Sequence, residues 1–208
     1  MIFLIETKRK IPKMDWLRAR WKFGRCFAVE GIGRGGGLAL LWMEETNVEI
    51  RSFSKYHIDA RIGDIGAEKS WRFIGFYGDP NINKRRDSWE MLRQLKDNST
   101  LQWLVAGDFN EIISDKEKIE GALRRISQME NFRNVLVDCQ LRELNVVGGK
   151  FTWSRGKYMD VIMERLDRRV ATDKWLDLFP FACERHIAAT ISDHVPVLFQ
   201  ISDCQQPN

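Results

Sequence analysis

The run Leu104-Val105-Ala106-Gly107-Asp108-Phe109-Asn110 ends an apolar, strand-like segment in a glycine, a carboxylate and a carboxamide. Side chains two apart on an extended backbone point the same way, so Asp108 and Asn110 are expected to emerge together at the end of a strand. Side by side, such groups can orient a water and hold a phosphate oxygen. An Asx turn that merely caps the loop accounts for the same two residues equally well.

Working outward, strand-like segments lie at 2–5, 26–29, 38–42, 48–53, 58–62, 71–77, 103–106 and 195–201, bounded by turn residues. Residues 2–5 form a wholly apolar run, the pattern of a strand buried on both faces, whereas 58–62 alternate as a half-buried strand should. A helix is expected over 84–96, with Trp89, Leu92 and Leu95 on one face and Asp87 and Glu90 spaced as a capping box. A second is expected over about 127–138, where Ser127 and Glu130 repeat that spacing and Ile126, Met129, Phe132 or Arg133, and Leu136 mark a face. Strands in hairpin-like series with helices between some of them predict an α/β sandwich of mixed, mostly antiparallel sheets.

The bulk properties are those of one ordinary domain. The chain has 208 residues, 44% hydrophobic and 30% charged, with 33 Lys and Arg against 29 Asp and Glu. The net charge of +4 permits a polyanionic partner without requiring one. The four cysteines, at 26, 139, 183 and 204, have no metal-ligand spacing and are expected to be reduced thiols. The opening apolar run is too short for a signal peptide, and no run reaches membrane-spanning length. A soluble, intracellular protein with no membrane partner is therefore expected; these properties do not set its oligomeric state, and a monomer is taken as the expectation.

Several further residues invite a chemical reading. Gly31-Ile32-Gly33-Arg34-Gly35-Gly36-Gly37 contains G-x-G-x-x-G, but a strand follows where a dinucleotide site needs a helix, so a turn between two strands is the better account. Ser192-Asp193-His194-Val195-Pro196 sets a histidine beside a carboxylate just before the last strand, an arrangement suited to general acid–base work or to a surface turn. His57 and His186 fall inside strand-like segments and are expected to be structural. Glu6 ends its strand with only weak competition from Lys8 and is a candidate magnesium ligand, since that ion takes oxygen ligands through one or two carboxylates. Asp167, among arginines in Glu164-Arg165-Leu166-Asp167-Arg168-Arg169, is either part of a surface ion-pair cluster or the carboxylate that orients His194.

The order of these pieces is distinctive. Ile5-Glu6-Thr7-Lys8, Gly75-Phe76-Tyr77-Gly78, Gly107-Asp108-Phe109-Asn110, Phe151-Thr152-Trp153-Ser154, Glu164-Arg165-Leu166-Asp167 and Ser192-Asp193-His194-Val195-Pro196 follow one another. This series resembles the endonuclease/exonuclease/phosphatase superfamily, most closely the endonuclease domains of plant LINE-type retrotransposons. The resemblance spans 1–201 and leaves 202–208 as a disordered tail. It implies a DNase I-like, four-layer α/β sandwich of two central sheets flanked by helices, with the active site along their upper edge. It further implies that Glu6 and Asp193 bind magnesium, with manganese as the alternative ion. In the same way it implies that Asp108 orients or deprotonates the attacking water, Asn110 holds the phosphate, Tyr77 contacts the phosphate or leaving group, and His194 is oriented by Asp167. DNA is the implied partner and the nucleus the implied compartment. Family domains open with a further strand and helix that this sequence lacks, which is expected to leave neighbouring strands unpaired or differently paired. The alternatives are an inactive remnant or binding module of the same fold, or a phosphatase or phosphodiesterase acting on small phosphate esters.

Overall fold

The computed structural model describes residues 1–31, 35–67, 69–156, 161–187 and 192–201. The chain opens with β1 (Ile2–Ile5), α1 (Ile11–Arg20), β2 (Arg25–Val29) and β3 (Leu38–Trp42). It continues through β4 (Val48–Ser54), β5 (His57–Ile62), β6 (Trp71–Tyr77), α2 (Arg85–Asp97) and β7 (Trp103–Asp108). After β8 (Lys118–Ile119) and α3 (Ile126–Asp138) come short strands β9 (Arg142–Glu143), β10 (Asn145–Val147), β11 (Trp153–Arg155) and β12 (Ile162–Glu164). β13 (Asp167–Ala171), α4 (Asp173–Leu178), β14 (Cys183–His186) and β15 (Val197–Gln200) close it.

The central sheet has six strands in the order β4-β5-β6-β7-β13-β9. Only β6 and β7 run parallel, joined by the crossover helix α2. Alternate residues of β7 face opposite ways. Leu104 and Ala106 pack inward with Leu38, Leu40, Trp71 and Phe73, while Trp103 and Val105 pack outward with Trp89, Leu92 and Phe132 of α2 and α3. Facing the inner side lies a second layer in two pieces, β1-β3-β2 and β10-β14-β15. α1 covers the far face of the first piece through Met14 and Leu17. The result is helix, sheet, sheet, helix, the four-layer mixed α/β sandwich that the sequence predicts.

The second layer is divided. Among the described residues β1 pairs only with β3, and β15 only with β14. Between them lies a cavity of about 780 Å³, walled by β1 on one side and β15 on the other, with Phe73, Leu104 and Ala106 of the central sheet among its lining. Among the described residues no strand ladder joins the two pieces across this cavity. β1 is accordingly half-exposed, not buried on both faces, because it is an edge.

Other expectations need correcting. α1 was not foreseen: Pro12 and a basic run obscure it, and only a narrow stripe of it touches the sheet. Helices α2 and α3 form, but neither has a side-chain cap. The N-cap positions are Lys84 and Arg125, ahead of the Asp87 and Ser127 at which the expected boxes begin. In β5 the polar member is not exposed. Asp59 is buried and meets Arg72 through two bonds, Nε–Oδ1 at 2.8 Å and Nη2–Oδ2 at 2.9 Å, so charge pairing replaces solvent. Cys26 and Cys139 are free thiols, whereas Cys183 is disulfide-bonded. The antiparallel register carries Cys183 to the end of β15, opposite Gln200, a proximity that chain spacing does not reveal. The glycine-rich segment does join two hairpin strands, Val29 pairing with Leu38, although its residues 32–34 lie outside the described residues, as does the expected tail 202–208. No helix among the described residues is long and apolar enough to cross a membrane.

Candidate active site

Strand register assembles the centre of the site. Parallel pairing sets Tyr77 of β6 opposite Asp108 of β7, and antiparallel pairing sets Asp167 of β13 opposite the same Asp108. Directly opposed residues in a sheet share a face, so the three form one row at the end of three adjacent strands. Gly107 permits it: at φ 151° an added Cβ would lie 1.9 Å from the Phe76 carbonyl oxygen. Behind the row, the buried Arg168 guanidinium bridges Glu117 and Glu143 and holds the loop that follows Asn110.

Asp108 is buried and aimed by its neighbour. The Asn110 backbone N–H donates to Asp108 Oδ1 at 2.7 Å, and its Nδ2 donates to Oδ2 at 2.9 Å and to the Gly78 carbonyl at 2.8 Å. The two residues do lie together, but not on an extended segment. Asn110 is left-handed, at φ 55°, and wraps back as in an Asx turn. Turn and site are therefore the same structure. Burial, then the Asp167 charge, raises the Asp108 carboxyl well above the ordinary aspartate range, partly opposed by His194.

His194 stands over Asp167, Nδ1 to Oδ2 at 2.8 Å. Burial disfavours its charged form, but the hydrogen bond and charge of Asp167, aided by Asp108 and Asp193, outweigh that and push the imidazole up to about 9. It is an imidazolium at neutral pH.

The segment that fixes this pair escaped sequence reasoning beyond its place in the motif series. Thr152 is fully buried, and its Oγ1 accepts from the backbone N–H groups of Leu166 at 3.0 Å and Asp167 at 2.9 Å. Its carbonyl accepts from Val195 at 2.7 Å, while Ser154 N–H donates to the Asp193 carbonyl at 2.9 Å. Trp153 Nε1 adds a bond to Asp193 Oδ2 at 3.3 Å. Residues 152–154 thus tie the His194 loop to the strand that carries Asp167. A lone threonine between aromatic residues gives no sign of such a part.

Glu6 reaches the row from β1. Tyr77 donates its hydroxyl to Glu6 Oε1 at 2.5 Å, and Lys8 pairs with Oε2 at 3.0 Å. Both side chains of that pair stay about half exposed, so the contact is the weak one expected; the backbone at Glu6 and Lys8 is left-handed. Partial burial opposes ionisation of Glu6, yet Tyr77 and Lys8 together hold it below the usual glutamate range. Burial, then Glu6, drives the Tyr77 phenol far above its ordinary value, so it remains a donor.

Glu6, Asp108, Asp167 and Asp193 all line the cavity between the halves of the second layer. Among the described residues no three His, Cys, Asp or Glu side chains converge as a closed metal cage. What is present fits a more open arrangement. An ammonium group already sits on Glu6 Oε2, and the carboxylates nearby repel one another. A hard ion bound through one or two carboxylates, with water completing its shell, suits that donor set. The remaining histidines are placed as expected. His57 is buried between Ser52 and Ser54, and His186 bonds Glu184 on its own strand.

Known proteins share this architecture. The endonuclease domain of TRAS1, a telomere-specific non-LTR retrotransposon, superposes with a TM-score of 0.64 at 15% identity, over 99% of this chain and 100% of that one. The 3'-5' exonuclease NExo from Neisseria meningitidis gives 0.70 at 16% identity, over 95% and 87% of the two chains. An AP endonuclease from Archaeoglobus fulgidus gives 0.70 at 15%, with the same coverage. No curated protein matches by sequence. Such identities establish fold alone, but a family model drawn on sequence matches residues 1–194, from the strand bearing Glu6 through His194. The chain belongs to the endonuclease/exonuclease/phosphatase family.

Proposed function

We propose that the chain hydrolyses phosphodiester bonds in DNA with a divalent ion, magnesium or manganese, as a nicking endonuclease of plant LINE-type retrotransposon origin. The observation that carries this is the row Tyr77–Asp108–Asp167 across three strands, with His194 charged over one end.

The residue chemistry follows from their states. Asp108, fixed by Asn110 and less acidic than an exposed aspartate, orients a water for in-line attack on phosphorus and receives its proton. Asn110 serves first as the positioner of Asp108, because both N–H groups of its amide are engaged. To hold a phosphate oxygen it must release Gly78. The His194 imidazolium, kept charged by Asp167, stabilises negative charge on the phosphate and donates a proton as the ester oxygen departs. Tyr77, held protonated, donates a hydrogen bond at the same edge. Glu6 and Asp193 would hold the ion, which supplies Lewis-acid stabilisation of charge on the phosphate.

The test is nicking of supercoiled plasmid by the purified chain with magnesium and with EDTA. Asp108→Ala and His194→Ala are each expected to lower the rate by roughly 10²–10⁴-fold, the span of a lost acid or base. EDTA-sensitive nicking lost in both variants upholds the reading. A folded wild-type chain that nicks nothing leaves a binding module of the same fold.

A further inference from the structure

The basic side chains are not spread evenly. Residues 8–25 hold eight of the chain's 33 Lys and Arg but only one of its 29 Asp and Glu, Asp15, so the other residues carry 25 basic against 28 acidic and are net acidic. The whole positive excess of the chain therefore lies on α1 and its flanks.

Most of that charge is unanswered. Arg9, Lys10, Lys13, Arg20 and Lys22 are exposed and form no ion pair with a carboxylate among the described residues. The helix turns Met14 and Leu17 to the sheet and its other face to solvent. There Lys13, Trp16 and Arg20, spaced three and four residues apart, form a ridge. Lys13 Nζ lies 3.6 Å from the Trp16 ring centroid and Arg20 Cζ 5.2 Å. Trp16 is 48% exposed and Trp21 44%, unusual for residues of that size. Stability does not account for this composition. The N-cap is Lys10 and the first turn has no acid; Glu30 accepts from the Ile11 N–H at 3.1 Å, but Arg9, Lys10 and Lys13 still crowd the positive end of the helix dipole.

Unpaired cations interleaved with exposed indoles match a polyanion whose planar groups are free to stack. We propose that the outer face of α1 is a second contact surface, separate from the catalytic row, that binds a single-stranded stretch of nucleic acid. Lys13, Arg20 and the flanking cations meet the phosphates, and Trp16 and Trp21 offer stacking faces. The surface begins close to the site, because Lys8, two residues before Lys10, pairs with Glu6. A strand on α1 can therefore continue toward the cavity. Only the link to cleavage rests on the nuclease reading.

The experiment is fluorescence anisotropy of a labelled mixed-sequence single-stranded DNA oligonucleotide titrated with the full chain in EDTA, at several NaCl concentrations. The variant K13E/W16A/R20E is compared with wild type and with K174E, a charge reversal on α4. The altered side chains are exposed, and an unchanged melting curve confirms the fold. Affinity is expected to fall at least about tenfold, as loss of a stacking platform alone does. The slope of log affinity against log salt should shrink by about 1.4, the share of two single-strand phosphate contacts. K174E should bind like wild type, and W16F with Lys13 and Arg20 intact should retain most of the affinity. Equal binding by the folded triple variant, an equal loss in K174E, or a loss confined to duplex DNA overturns the proposal. So does triple-variant loss of binding to phosphatidylserine vesicles with DNA binding intact. Because no cleavage is involved, failure here leaves the nicking assay untouched, and the reverse holds.

Discussion

The two sheets of the sandwich serve the site in opposite ways. The central sheet is continuous, and its three middle strands set Tyr77, Asp108 and Asp167 by register alone. The facing layer is divided, and each half contributes from a rim. Glu6 comes from β1, and Asp193 and His194 from the loop before β15. Residues on paired strands inherit their positions from a ladder of backbone bonds. Residues on a rim depend on side-chain ties, here Tyr77 to Glu6 and Thr152 to the Asp167 strand. Backbone pairing thus places the central row, and side-chain ties place the rim residues.

The sharpest way to break this contrast is Gly107→Ala. A methyl group 1.9 Å from the Phe76 carbonyl at φ 151° cannot be absorbed without parting β6 from β7. A loss of about 3–5 kcal/mol is expected, from backbone strain plus overpacking, read as a lower urea midpoint.

Acid should weaken the continuous sheet from its β4–β5 side. Burial, only partly offset by Asp59 and reinforced by Arg72, lowers His57 to about 4, whereas the unfolded chain titrates near 6.5. Between those values the unfolded chain binds a proton that the folded one refuses. The stabilisation is thus whole above about pH 6.5, falls by roughly 1.4 kcal/mol per unit as pH drops, and levels off near pH 4 after a loss of about 3 kcal/mol. Comparing wild type with His57→Asn isolates that slope, and a wild-type chain with no steeper decline than the variant would refute it.

The smallest effect should fall on the join between the sheets. Thr152→Val keeps the shape but removes the acceptor for the buried Leu166 N–H and the partly buried Asp167 N–H, and about 1–3 kcal/mol should be lost by thermal melting. Nicking should fall further than in an equally destabilised variant elsewhere, since Asp167 and the His194 loop lose a common anchor.

Much of the closed sheet could be read directly. β6 and β7 are apolar runs bounded by turn residues, and the signature at Gly107-Asp108-Phe109-Asn110 marks where the row ends. β13 could not, because Asp167-Arg168-Arg169 looks like surface. Its burial depends on Glu117 and Glu143 reaching Arg168 from distant parts of the chain. α1 hid for the opposite reason: nearly all of it faces solvent, so its apolar period is faint. Within the site, residue types and order revealed the participants. The Tyr77–Glu6 bond and the two hydrogen bonds to Thr152 join residues far apart in the chain and are products of three-dimensional closure, which no local pattern encodes.

Glu6 and Asn110 hold left-handed backbone, φ 52° and 55°, without being glycine. Such a conformation costs roughly 1–3 kcal/mol, less for asparagine, which tolerates it. At position 110 folding and chemistry therefore ask for compatible residues. At position 6 they conflict, since glycine would relax the chain and remove the carboxylate. Selection for thermal robustness alone would erode this glutamate first, so its persistence in any laboratory-evolved descendant would report that cleavage was still being selected.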